Sequence, residues 1–152
     1  MTQIFSPSTL LLVDDEPHIV SLLSTLIKRS FSDRIRLEVM TDPRQALARI
    51  EEGGLDILLT DLQMPLVSGL DLLRAARRRS IATEVIFLTG QSTQEALLEA
   101  LENGASDYLL KPVNDHQQFV ELIEQYHARQ NRWRQALGDT WRRRKAPSET
   151  AL

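Results

Sequence analysis

The sequence predicts a doubly wound α/β domain built on a five-stranded parallel sheet. Short apolar runs alternate with segments of helical periodicity, and the alternation repeats five times. Strands and helices in strict alternation form parallel sheets that are covered by helices on both faces. Five strand–helix units are too few for a barrel, which needs eight. We therefore expect an open sheet.

The first two units each have a clear start signal for the helix. The first strand is predicted at Leu10–Val13, and Pro17 begins the helix after it, because proline is tolerated in a first turn. The second strand is predicted at Ile35–Met40. The helix that follows has Asp42 as its N-cap and Gly53 after its end.

The other three units follow the same pattern. Their strands are predicted at Leu55–Thr60, Glu84–Gly90 and Ser106–Pro112. The third helix contains GLDLLRAARRR, the fourth has Ser92 or Thr93 as its N-cap, and the last begins near Asn114. Right-handed crossovers and the count of five units favour a flavodoxin-like sheet, a fold in which the strand order is 2-1-3-4-5.

Composition and charge divide the chain into two parts. With 152 residues and 42% hydrophobic residues, the chain can form one domain with a buried core. Residues 1–128 hold 11 Lys and Arg against 19 Asp and Glu, whereas residues 129–152 hold 7 against 2. We therefore expect an acidic domain over 1–128 and a basic extension over 129–152 that is too short to be an independent domain.

Several classes of protein are disfavoured by what the sequence lacks. No apolar run approaches the ~18 residues of a membrane span, and the first residues do not resemble a secretory signal. We therefore expect a cytoplasmic protein without membrane contacts. The absence of cysteine excludes disulfides and thiolate metal sites.

Polar residues follow four of the predicted strands. Asp14 and Asp15 follow the first, Asp61 the third, Thr89 ends the fourth and Lys111 ends the fifth. In doubly wound sheets, ligands bind at the carboxyl ends of the strands, so these side chains are expected to meet. Three adjacent carboxylates repel one another unless a cation neutralises them, and Mg²⁺ prefers oxygen ligands.

The same residues are suited to phosphoryl chemistry. A carboxylate can be the nucleophile that forms an aspartyl phosphate. Asp61 is favoured for this role because it follows its strand singly, whereas Asp14 and Asp15 form a pair suited to the metal; the sequence alone does not rank the three firmly. Lys111 offers a compact positive charge to a phosphoryl group, and Thr89 offers a hydroxyl.

Four segments, LLLVDDEP, DILLTDLQMP, VIFLTG and ASDYLLKP, resemble the receiver domain of two-component response regulators in order and spacing. The resemblance covers about residues 8–128. It implies that Asp61 accepts a phosphoryl group from a histidine kinase or a histidine phosphotransfer protein. It further implies that Asp15 binds Mg²⁺ directly, that Asp14 holds it through water and that Gln63 contributes its backbone carbonyl.

The resemblance also implies a switch. Thr89 would turn toward the phosphoryl group, Lys111 would pair with it, and Tyr108 would move between exposed and inward positions. The Lys111–Pro112 peptide bond would be cis. The resemblance implies a protein that is not an enzyme, apart from self-catalysed phosphoryl transfer and autodephosphorylation. It also implies that the domain signals through the face formed by helix 4, strand 5 and helix 5. This face would bind a downstream protein target or form a homodimer.

Other polar residues near the acids receive smaller roles. Glu16 is expected to be a helix-start residue, and His18 a solvated surface histidine. Gln63 and Gln91 occupy positions that tune the lifetime of the phosphoryl group in receiver domains, and two neutral amides there leave that lifetime open.

Arginine and tryptophan alternate in the basic extension, which permits three interpretations. The last helix is predicted to continue to about Leu137, where Gly138 interrupts it. The extension is a docking or dimerising helix anchored by Trp133 and Trp141, a segment that contacts nucleic acid, or a partly disordered end. The last is favoured, and nucleic acid is the least expected because no DNA-reading motif is present.

One alternative function belongs to a different class, a Mg²⁺-dependent phosphohydrolase with Asp61 as nucleophile. The residue two positions after Asp61 is Gln63, so no second acid is placed to act as a general acid. This favours the switch over the hydrolase.

Overall fold

The computed structural model describes residues 6–90 and 93–145. Its five strands form one parallel sheet in the order β2-β1-β3-β4-β5, which confirms the predicted fold. The elements in chain order are β1 (Ser8–Val13), α1 (Pro17–Phe31), β2 (Ile35–Met40), α2 (Pro43–Glu52), β3 (Ile57–Asp61), α3 (Gly69–Arg79), β4 (Glu84–Thr89), α4 (Gln94–Glu102), β5 (Asp107–Leu110) and α5 (His116–Lys145). A short 3₁₀ helix, Ser32–Arg34, joins α1 to β2.

The helix starts follow the predicted caps. Asp42 accepts a hydrogen bond from the backbone N–H of Arg44 and caps α2. Thr93 caps α4 by accepting from the N–H of Ala96, and the alternative cap, Ser92, lies outside the described residues. These side chains satisfy backbone donors that have no partner inside the helix.

Four strands differ from their predicted bounds by one or two residues at an end. β1 begins two residues earlier than predicted, at Ser8, and β4 ends one residue earlier, at Thr89. β3 begins two residues later and ends one residue later than predicted, so that it includes Asp61, and β5 is shorter and covers Asp107–Leu110. The pairing between strands sets these bounds, because the apolar pattern alone does not mark where inter-strand hydrogen bonds begin.

The central strands are buried on both faces, which accounts for their unbroken apolar runs. In β1, Leu10 and Leu12 face one apolar cluster, and Leu11 and Val13 face the other. The first cluster contains residues of α1 and α5, and the second contains residues of α2, α3 and α4. The sheet is thus held rigidly between two layers of helices.

The last helix is longer than predicted. α5 runs without a break to Lys145, so the predicted interruption at Gly138 is wrong. A glycine costs only about 1 kcal/mol relative to alanine in a helix. Around it the Thr140 hydroxyl donates to the Ala136 carbonyl, and Arg142 pairs with Asp139 one turn away.

Polar contacts fix α5 to the amino edge of the sheet. The Gln130 side chain donates to the carbonyls of Asp56 and Ala82, which precede β3 and β4. Nearby, Ser8 Oγ lies 2.7 Å from Nδ1 of the buried His127.

None of the helices within the described residues combines the length and the apolar character that a membrane span requires.

Candidate functional site

Carboxylates from two strand ends meet at the carboxyl edge of the sheet. One carboxylate oxygen from each of Asp14, Asp15, Glu16 and Asp61 lies within 4.8 Å of the others. Asp14 is fully buried and accepts a hydrogen bond from the Glu16 N–H through Oδ1, at 2.9 Å. Asp61 is also buried, whereas Asp15 is exposed. The structure therefore brings together the three aspartates that the sequence singled out.

Lys111, the residue after β5, contacts this cluster. Its Nζ lies 2.7 Å from Asp14, 3.2 Å from Asp61 and 3.3 Å from Glu16. The Lys111 side chain is only 9% exposed, so these ion pairs are shielded from water. Charge pairs in such surroundings are stronger than pairs on an open surface.

Burial and neighbouring charges shift the pKa of both partners. Burial raises the pKa of Asp61, and so does the Asp14 carboxylate, while Lys111 opposes both effects without overcoming them. Burial alone would lower the pKa of Lys111, but the carboxylates of Asp14 and Asp61 outweigh it and leave that pKa raised. Lys111 is thus protonated, and its single positive charge is smaller than the summed negative charge of the carboxylates around it.

Glycine at position 69 permits the chain to turn closely behind Asp61. The Gly69 N–H donates to the carbonyl of Leu62 at 2.9 Å. A Cβ at this position would lie 2.3 Å from the Asp61 carbonyl oxygen and 2.9 Å from the Phe87 ring. Sequence reasoning missed Gly69, whose role follows from this close approach.

Thr89 and Lys111 are placed by the pairing of β4 with β5. Thr89 is buried at the end of β4, and its carbonyl accepts from the Lys111 N–H at 2.8 Å. The Lys111–Pro112 bond is cis, as the resemblance implies. An open pocket of about 510 Å³ is lined by Glu16, His18, Ile19, Asp61, Gln63, Thr89, Gly90, Lys111 and Pro112.

The remaining predicted residues lie around this pocket or outside it. Gln63 is exposed, and its backbone N–H donates to Asp61 Oδ1 at 3.3 Å. Tyr108 lies on β5, 55% exposed, outside the residues that line the pocket. Gln91 lies outside the described residues.

Glu16 is the site residue whose contacts the sequence did not predict. It does begin α1, as expected, but its carboxylate also contacts Lys111 and lies 3.4 Å from Nε2 of the exposed His18. No local pattern could have found the contact, because Glu16 and Lys111 are 95 positions apart. The lysine therefore has three acidic partners rather than two.

The donor set fits a divalent cation. The clustered ligand atoms of Asp14, Asp15 and Asp61 are all carboxylate oxygens, which Mg²⁺ prefers. Asp14 Oδ2 is buried, and in the described part of the chain it contacts the Lys111 ammonium at 2.7 Å, which occupies one of its two lone pairs. A buried oxygen with unused acceptor capacity beside other carboxylates is a suitable cation ligand.

Comparisons with known proteins agree with this architecture. The profile of the response regulator receiver domain matches residues 10–124. The chain is 36% identical over 107 residues to the transcriptional regulatory protein TrcR of Mycobacterium tuberculosis, covering 70% of this chain and 40% of TrcR. It is 36% identical over 126 residues to CpxR of Escherichia coli K12, covering 82% of this chain and 50% of CpxR.

A solved structure shows the same fold. The crystal structure of a CheY-like receiver domain protein from Methanospirillum hungatei superposes with a TM-score of 0.76 at 26% identity, covering 84% of this chain and 98% of that one. The chain belongs to the response regulator receiver domain family. It spans about half the length of CpxR and less of TrcR.

Proposed function

We propose that Asp61 accepts a phosphoryl group and that this modification switches the surface through which the domain signals. The observation that carries the proposal is the convergence on Lys111 of acids from two other strand ends, Asp14 at 2.7 Å and Asp61 at 3.2 Å. A buried cation beside a reactive carboxylate is suited to holding the oxygens of a transferred phosphoryl group.

In the transfer step, a carboxylate oxygen of Asp61 attacks the phosphorus of a phosphohistidine. A P–O bond forms, the P–N bond breaks, and the imidazole of the donor leaves with its electron pair. Lys111 would move its contact from Asp61 Oδ2 to a phosphoryl oxygen, and Thr89 would donate its hydroxyl to another. Attack by water on the phosphorus breaks the P–O bond to Asp61, releases inorganic phosphate and restores the carboxylate. The chain would thus remove its own phosphoryl group and return to the unmodified state.

Asp14, Asp15, Asp61 and the backbone carbonyl of Gln63 are the residues that would hold Mg²⁺ in this proposal. Asp14 and Asp61 are buried and Asp15 is exposed, so the proposed ligands extend from the interior of the domain to its surface. When bound, Mg²⁺ supplies positive charge that offsets the charge of the phosphoryl oxygens.

The switch itself would begin with the added charge. A phosphoryl group adds roughly −1.5 to −2 charges and new acceptor oxygens. Thr89 would turn toward it, and Tyr108, which is exposed here, would turn inward. The two positions are joined by the β4–β5 ladder, in which Thr89 pairs with Leu110 and Phe87 pairs with Tyr108.

The partners in this proposal are a histidine kinase or histidine phosphotransfer protein upstream and a protein target downstream. TrcR and CpxR are named as transcriptional regulatory proteins. The chain spans about half of CpxR and less of TrcR, so the proposal for this chain covers only the step performed by a receiver domain.

The test is the intact mass of the protein after incubation with Mg²⁺ and acetyl phosphate, a small phosphodonor. We expect a single phosphoryl adduct on the wild type, none on Asp61→Asn, and no adduct when the cation is chelated. Asp33→Asn, the same change at an exposed acid of the 3₁₀ helix, is the matched control and should keep the adduct.

Inorganic phosphate counted in the same tube separates the switch from the hydrolase. A switch forms the adduct and releases phosphate slowly, whereas a phosphohydrolase turns over many donors per protein without accumulating an adduct. An adduct that persists in Asp61→Asn would show that another residue is the acceptor.

A further inference from the structure

Two apolar surfaces of this chain are exposed, and the first lies between α4 and β5. It is a groove of about 410 Å³ that we call the α4–β5 groove. Its apolar lining includes Phe87, Leu97, Leu98, Leu101, Ala105 and Tyr108. Leu101 is 67% exposed, and Tyr108 and Leu98 are also exposed. β5 lies at the edge of the sheet, so this groove opens directly to solvent.

The second surface is on the extended end of α5. Trp133, Leu137 and Trp141 are spaced four residues apart and therefore lie on one side of the helix. We call them the tail stripe. Trp133 is 59% exposed and Leu137 is 66% exposed. Adjacent large apolar side chains at the surface mark interaction sites more often than scattered ones do.

The charges around the two surfaces are opposite. α4 has three glutamates and no Lys or Arg. Residues 129–145 contain seven Lys and Arg and a single acid, Asp139. Within the described residues, Glu95 and Glu102 of α4 and Arg132 and Arg143 of α5 have no ion-pair partner. Complementary potentials of this kind select partners and orient them.

The tail stripe cannot reach the groove of its own chain. Arg134 donates to the carbonyls of Ser6 and Pro7 and pairs with Asp56 at 2.7 Å, which fixes α5 at the amino edge of the sheet. Residues 135–145 continue the same helix for about 16 Å past this point. Because the helix is continuous and leaves the domain at this edge, it does not fold back along α4 and β5.

We propose that the α4–β5 groove binds the tail stripe of a second copy of this chain. Trp133 and Leu137 of one copy would pack on Leu98, Leu101 and Tyr108 of the other, with the arginines of the tail beside the glutamates of α4. The contact is heterologous, since different surfaces of the two copies meet. The inference does not depend on phosphorylation of Asp61.

Pairing of two tail stripes with each other is disfavoured by charge. Two tails side by side would bring ten Lys and Arg together with two acids, because each copy contributes Asp139 and the five Lys and Arg that remain after Arg129 pairs with Glu84 and Arg134 with Asp56. Like charges on facing helices are destabilising. The tail therefore needs an acidic partner surface, and the α4–β5 groove of this protein supplies one.

The association is expected to be weak and sensitive to salt. One helix end in a groove buries less than the roughly 1,200 Å² of a stable interface, so affinity in the micromolar range or weaker is expected. Tryptophan anchors contribute most of such binding energy. Added salt should weaken the association, because part of it comes from exposed charges.

The test is sedimentation velocity of the full chain over a concentration series, with a glutamate placed in each surface. Leu137→Glu and Leu101→Glu should each lower the association constant at least about tenfold. An equimolar mixture of the two variants should recover a dimer, because it contains one intact groove and one intact tail. Ile81→Glu, the same change at a 91% exposed residue after α3, should leave association unchanged.

Each contrary outcome overturns the proposal and points to a different arrangement. If Leu101→Glu has no effect, the tails pair with each other; if Leu137→Glu has no effect, the α4–β5 faces pair symmetrically. If the wild type stays monomeric at every concentration but binds a single-stranded oligonucleotide, the tail is a nucleic-acid contact. If it stays monomeric and binds no oligonucleotide, the contact between the tail stripe and the α4–β5 groove does not exist. Far-UV circular dichroism and a cooperative urea transition verify that each variant is folded, because Leu101 and Leu137 are exposed and their replacement removes no buried core residue.

Discussion

Replacing Lys111 with methionine tests how strongly the acidic pocket depends on its buried cation. Methionine keeps most of the hydrocarbon stem and removes the charge that lies 2.7 Å from Asp14 and 3.2 Å from Asp61. Both aspartates are buried. After the substitution their carboxylates would face each other without a counter-charge in the absence of a divalent cation.

The magnitude follows from the geometry. The ligand oxygens of Asp14 and Asp61 lie within 4.8 Å. At an effective dielectric constant of about 20, two unit charges at that separation repel by about 3 kcal/mol. Removing one partner of a buried pair costs about 3–5 kcal/mol in proteins. We expect Lys111→Met to lose free energy of unfolding in this range at neutral pH.

Urea denaturation with a chelator present measures the loss. With a denaturant slope of about 1–3 kcal/mol per M, the midpoint should fall by roughly 1 M or more. Lys28→Met, the same change at an exposed lysine in the last turn of α1, should cost no more than about 1 kcal/mol. Excess Mg²⁺ should recover part of the loss in Lys111→Met, because a ligand that binds only the folded state stabilises it.

Two results would refute this reasoning. Equal losses for Lys111→Met and Lys28→Met would mean that the pocket acids do not rely on Lys111. Equal stabilisation of wild type and Lys111→Met by Mg²⁺ would mean that the cation does not relieve the repulsion left by the lysine.

Three further predictions concern stability. Asp61→Asn should have a higher free energy of unfolding than the wild type at neutral pH. The reason is that the raised pKa of Asp61 means that its ionised carboxylate opposes folding. In urea titrations the difference should vanish below about pH 4, where the carboxyl group is protonated in the unfolded chain as well. Burial lowers the pKa of His127, so the unfolded chain binds this proton more readily than the folded one. The contribution of His127 to stability should therefore fall as pH drops below about 6.5. Between about pH 7.5 and about pH 5.5 the wild type should lose stability relative to His127→Gln, as urea denaturation would show. Gly69→Ala should lower the free energy of unfolding by about 1–3 kcal/mol and reduce formation of the phosphoryl adduct, because the new Cβ would lie too close to the Asp61 carbonyl. Gly138→Ala, whose Cβ would make ordinary contacts with the Arg142 side chain, should raise the free energy of unfolding by up to about 1 kcal/mol and keep the adduct.

Local patterns in the sequence were sufficient for the elements and for the position of the site. The buried run Leu10–Val13 and the capping residue Asp42 are signals that act over a few residues, and the structure has a strand and a helix where they predict them. Parallel strands have their carboxyl ends at one edge, so strand–helix alternation alone placed Asp14, Asp61 and Lys111 together. The assignment of roles to those residues remains a prediction.

The end of α5 was predicted too early because Gly138 is a weak interruption. A glycine costs a helix only about 1 kcal/mol relative to alanine. Tertiary contacts fix α5 as far as Arg134, which pairs with Asp56 and donates to the carbonyl of Ser6. Beyond that point, the local contacts from Thr140 to Ala136 and from Arg142 to Asp139 accompany the helix past the glycine.

The sequence by itself thus determined the sheet, its strand order and the edge at which acids and lysine meet. Only the tertiary structure decided that Glu16 joins Asp14 and Asp61 around Lys111, and that Gly69 must lack a side chain behind Asp61. The physical reason is range. Secondary structure follows from interactions among near neighbours in the chain, whereas an ion pair or a close backbone approach depends on how distant segments pack, to within a fraction of an ångström.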